Sequence, residues 1–90
     1  MEHSHAIADC RRRIALGLTL NTLLTNPEFK TVVIEGFLRD KVLEQGLNIN
    51  VDKSGSIQFL KAAAAFKKYL DFVKADAEQA QIDLTGYLNL

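Results

Sequence analysis

Apolar residues between residue 59 and residue 87 recur with an unbroken rhythm. Phe59, Ala63, Phe66, Leu70, Val73, Ala77, Ala80, Leu84 and Tyr87 follow one another at alternating steps of four and three. That spacing is a heptad stripe, the seam of a coiled coil or helical bundle. Lys61, Lys67, Lys68, Asp71, Lys74, Asp76, Glu78, Gln79, Gln81 and Asp83 fall off the seam. Lys67 with Asp71, and Lys74 with Glu78, are opposite charges one turn apart. Each such pair adds a few tenths of a kcal/mol to a helix. The pattern predicts a helix from about 54 to 84, a rod of roughly 45 Å at ~1.5 Å per residue.

Two earlier segments also read as helices, at about 4–25 and 27–45. Ile7, Cys10, Ile14 and Leu18 form a stripe on the first, widened by Leu16, Leu20, Leu23 and Leu24. The second starts at Asn26-Pro27-Glu28: a capping side chain, a proline at the first helical position and an acid facing the helix dipole. It is apolar on two sides. Phe29, Val32, Val33 and Phe37 make one face; Ile34, Leu38 and Val42 make another. A helix apolar on most sides is buried on most sides. Helix 2 therefore either fills the groove between helices 1 and 3 or meets another subunit, and neither choice follows from the pattern.

The break from Gly46 to about Ser56 holds loop formers: Asn48, Asn50, Asp52, Ser54 and Gly55. Gly46 suits the residue after a helix end. Leu47, Ile49 and Val51 alternate with polar residues, which would suit one short extended segment, but a lone strand makes no sheet. Gly17 and Gly36, inside helices, are expected to mark close helix–helix approach. The expectation is an all-α fold: one domain over 1–90, three helices in an antiparallel bundle, the last one long.

Composition sharpens this picture. Hydrophobic residues make up 48% of a 90-residue chain. A chain this short buries only about 60–65% of its unfolded surface, so either the helices pack as an efficient bundle or part of that apolar content is covered by a partner. Eleven basic and eleven acidic residues cancel, which leaves no long-range field for nucleic acid or anionic lipid. No stretch has the ~18 apolar residues of a membrane span, and no basic-then-apolar leader opens the chain. One cysteine excludes an internal disulfide and suits a reducing compartment.

Candidate chemistry is sparse. His3, His5 and Cys10 lack a fourth ligand at a recognised spacing, so solvated histidines and a packed cysteine are the favoured reading. No metal or other cofactor is expected. No phosphate loop, nucleophile elbow or paired-carboxylate site occurs, and no enzymatic activity is expected. Arg11-Arg12-Arg13 is the one basic run; it could contact an anion, but a solvated helix shoulder is the simpler account.

The stretch Leu23-Leu24-Thr25-Asn26-Pro27-Glu28-Phe29-Lys30, with Val33, Glu35-Gly36-Phe37-Leu38 and Asp40, resembles the centre of a group of small helical proteins of tailed bacteriophages. The likeness covers about residues 14–75. It departs from the group's pattern in the short loop LNINVDKSGS and the tail LTGYLNL. The resemblance implies a virion or assembly role and carries no catalytic residue across. The expected function is structural: self-association, or binding to a virion component such as portal, capsid or scaffold. Phe29, Val33, Ile34, Phe37 and Leu38 on helix 2, and Phe59, Ala63, Phe66, Leu70 and Val73 on helix 3, are the expected interface. The alternative is an inhibitor of a host enzyme or defence factor; nucleic-acid binding through Arg11, Arg12 and Arg13 comes third. The expected location is the cytoplasm of an infected bacterial host, or the virion.

Overall fold

A computed structural model describes residues 3–89. Three helices are present, and no strand occurs among the described residues. Helix α1 is Ser4–Thr25. Helix α2 covers 27–47 in three continuous parts: Pro27–Phe29, Lys30–Lys41 and Val42–Leu47. Helix α3 is Lys53–Leu88, longer at both ends than the 54–84 read from the heptads.

The contacts gather these helices into two compact units, residues 3–22 with 70–89, and 23–69. In the first unit, α1 runs antiparallel to the last half of α3. Its core is Cys10, Ala80 and Leu84, flanked by Ile7, Ile14 and Tyr87. Gly17 sits where a Cβ would collide with the Cβ of Ala77. This is the close approach expected of Gly17, and Ala77 is one of the small residues of the seam. His3 lies on the ring of Tyr87, with centroids 5.2 Å apart.

In the second unit, α2 returns against the first half of α3. Phe37 packs on Phe59 (5.4 Å between centroids) and edge-on against Phe66 (5.9 Å). The Asn26 side chain accepts from the amide of Phe29 at 2.9 Å, with Pro27 as the first helical residue. The connection after Leu47 is a tight turn, not an extended segment: Val51 and Asp52 both donate to the Asn48 carbonyl. Asp52 then caps α3 by accepting from the Gly55 amide. The buried Ser56 hydroxyl donates to the Gln45 side-chain oxygen at 3.1 Å, tying the start of α3 to the end of α2.

Three local expectations change. Gly46 lies inside α2 and, among the described residues, no glycine has a positive φ; the helix passes through it instead of ending in a left-handed cap. Gly36 approaches no other helix; a Cβ there would meet only the Thr31 carbonyl of its own helix, at 3.0 Å. The central twelve residues of α2, Lys30–Lys41, are wound as a π-helix. Bonds to the fifth residue along lengthen the repeat to about four to five residues. At the junction the Thr31 hydroxyl donates to the Pro27 carbonyl at 3.0 Å, a partner for a group near the change of winding.

That winding merges the two apolar faces read with an α-helical period. Val33, Phe37 with Leu38, and Val42 recur at the longer step and lie on one side. Val33, Ile34, Phe37, Leu38 and Val42 are all half-buried, while Val32 and Leu43 face solvent.

Candidate functional site

The expected interface residues are largely taken up inside the chain. Ala63 and Val73 are buried. Phe29, Val33, Ile34, Phe37, Leu38, Phe59 and Leu70 are half-buried, and Phe66 stands at the edge of exposure at 37%. The seam from Phe59 to Tyr87 therefore packs within its own chain: its first part belongs to the unit with α2, its last part to the unit with α1.

The surface that remains lies off the seam. On α3, Phe72, Ile82 and Leu88 are exposed; Leu18 of α1 is 63% exposed. In the other unit Val32, Leu43, Leu47, Val51 and Tyr69 are open, Val51 to 87%. None of these was among the expected contacts. The available signal was their position: Phe72 and Ile82 are large apolar side chains at heptad positions that a seam leaves outward.

The buried hydrophobic residues are Cys10, Leu20, Ala63, Val73, Ala80 and Leu84. Three of them are alanine or cysteine, so the cores bury little area per residue. At about 25 cal/mol per Å², small side chains contribute little, and the exposed leucine, valine and phenylalanine surface contributes nothing until something covers it.

One side of the first unit forms an open trough of about 400 Å³. Ile14, Gly17 and Leu18 line it from α1, with Asn21 at its rim; Ala77 lines it from α3, with Lys74, Glu78 and Gln81 along the rim. Gly17 and Ala77 meet at the line where the two helices touch. A smaller apolar hollow of about 150 Å³ in the second unit lies among Leu38, Val42, Leu60, Ala63, Ala64 and Lys67.

The basic run divides. Arg13 turns onto α3, where its Nε and Nη2 clasp the Asp76 carboxylate at 2.9 and 2.7 Å. Asp9 and Asp83 stand 3.6 and 3.9 Å from its Nη1. The two hydrogen bonds from Arg13, aided by its charge, hold Asp76 below the usual carboxylate value, and the same bonds raise Arg13. Arg12 pairs with Asp9 at 2.8 Å. Of the three arginines, only Arg11 is without an ion pair among the described residues. Of the run, Arg13 alone clasps α1 to α3. Bidentate Arg–carboxylate geometry sets orientation as well as energy.

Cys10 is only 2% exposed, enclosed by Ala80 and Leu84. Among the described residues no group of three His, Cys, Asp or Glu is placed to hold a metal, and no helix is long and apolar enough to cross a membrane.

Compared with protein-family models, with curated proteins and with solved structures, the chain matches none of them.

Proposed function

We propose that this chain is a non-enzymatic assembly protein that works by packing its helices against other chains, in the setting of a tailed-phage particle. One observation carries the assembly reading. Few hydrophobic residues are fully buried in either unit, half of them alanine or cysteine, while leucine, valine, isoleucine and phenylalanine side chains lie open on both. Scattered single apolar residues are ordinary on a protein surface. Nine large apolar side chains more than half exposed among the described residues, Tyr69 included, amount to surface that association would remove from water. The zero formal net charge supports the same reading, since it leaves little repulsion between copies. The phage setting is supported by the resemblance of residues 14–75 to small helical phage proteins.

Light scattering on the purified full chain, with mass spectrometry of particles and of co-purifying proteins from its native source, tests this. The expected result is a mass above 10.0 kDa or a place in the particle. A monomer at high concentration that is found in no particle overturns it.

A further inference from the structure

We propose that a second copy of this chain docks in the trough of the α1–α3 unit, about a two-fold axis that passes beside Leu18 and midway between Lys74 and Glu78. This rests on the assembly reading and names its partner and its surface.

Two charges on the trough form no ion pair. Lys74 and Glu78 stand one turn apart on the rim of the trough. At that spacing they could pair with each other. They do not, and neither forms an ion pair with any other described residue. In an antiparallel pairing of α3 with its own copy, a residue just before the axis meets the residue equally far beyond it. An axis between Lys74 and Glu78 therefore sets Lys74 of each copy against Glu78 of the other, twice over. A two-fold interface must be complementary to itself in this way.

The apolar floor of the trough supports the same axis. Gly17 of α1 lies against Ala77 of α3, so the level midway between Lys74 and Glu78 meets α1 at about Gly17 and Leu18. Leu18, 63% exposed, then meets Leu18 of the copy across the axis. One axis therefore pairs the rim charges and covers Leu18 together.

Other arrangements lose this match. With the axis parallel to the helices, each α3 rim would face an α1 rim that carries Leu18 and Asn21 and no charge within the trough. Lys74 and Glu78 would then stay unpaired. The side of the unit that carries Arg13 is already satisfied by its clasp with Asp76. Burial of Leu18 and Ile14 would supply most of the affinity; the rim charges would fix the register.

The test uses the full chain and sedimentation equilibrium, with helicity by circular dichroism as a check, since Lys74, Glu78 and Leu18 are exposed and their replacement should leave the fold intact. The wild type is expected to give a dimer. K74E and E78K should each weaken it by about tenfold or more, because each puts like charges together twice. The double variant K74E/E78K should restore the dimer. Mixing the K74E chain with the E78K chain should give a heterodimer in preference to either homodimer, an outcome that a change in local stability would not produce. Leu18→Asp should give a monomer. If the wild type is oligomeric and K74E, E78K and Leu18→Asp all keep its mass, the trough is not the interface, and the assembly reading stands without it. If the wild type is monomeric at all concentrations, the two-fold pairing is overturned, and the assembly reading then depends on co-purification with a different protein.

Discussion

Gly17 and Asp76 are the residues on which the α1–α3 unit turns. A methyl group at position 17 would collide with Ala77, and both carbons belong to helices whose backbones are already in close approach. Gly17→Ala should therefore destabilise by about 1–3 kcal/mol, although alanine favours a helix over glycine by about 1 kcal/mol. The pair G17A/A77G should recover part of the loss. Gly46→Ala, which meets nothing within 4 Å, should be neutral or stabilising by up to ~1 kcal/mol. Urea denaturation of the four chains checks this ordering. Asp76 bears on pH. Its folded carboxyl lies below the ordinary 3.8 because of the hydrogen bonds and charge of Arg13. Its contribution is therefore fully present above the unfolded value and is lost as pH falls through the folded one. Wild type should be more stable than Asp76→Asn at pH 7, and the gap should close below about pH 4. Parallel melts from pH 7 to pH 3 read this; a constant gap would contradict it.

At the scale of elements, α2 is the unusual one. Its start is conventional, and Asn26→Ala should cost about 0.5–2 kcal/mol through loss of the cap to Phe29. Its middle is not. A π-helical stretch as long as Lys30–Lys41 differs from the single-turn bulges in which this winding usually appears. Gly36 lies within it, and a Cβ there would sit tightly against the Thr31 carbonyl. Gly36→Ala should then fall short of the gain that Gly46→Ala gives, because the methyl presses on the π-helical carbonyl. Thermal melts of the two variants side by side decide it. The apolar residues of α2 were all visible in the sequence; their single face was not. Phe29, Val32, Val33, Phe37 and Ile34, Leu38, Val42 make two faces only at an α-helical period, and Val32 is 68% exposed in the fold. The wider π turn brings Val33, Phe37 with Leu38, and Val42 to one side.

For the molecule as a whole, the balance between a small core and open apolar surface makes stability a matter of concentration. A partner that binds only the folded chain stabilises it by mass action. The midpoint of thermal unfolding should therefore rise as the protein is concentrated from about 1 μM to about 100 μM, and Leu18→Asp should flatten that dependence. A midpoint independent of concentration in the wild type would count against self-association. Cys10 offers a second reading of the same equilibrium. Enclosed by Ala80 and Leu84, its thiol is reached by an alkylating reagent only when that core opens.

The helical class, the Asn26-Pro27 start, the long final helix and the existence of its seam were determined by local rules: capping chemistry, helix propensity and a heptad period that one helix carries by itself. Those rules act within a few residues, so they survive reading without a fold. Which surface was left over was decided only in three dimensions. Ala63 and Val73, expected to meet another chain, are buried in their own; Leu18, Phe72, Ile82 and Val51 are outside. Arg13 became a clasp because Asp76, 63 positions away, came to face it. The helices themselves could be read from hydrophobic spacing, but whether a seam closes on its own chain depends on which distant helix reaches it, and no period along one segment encodes that.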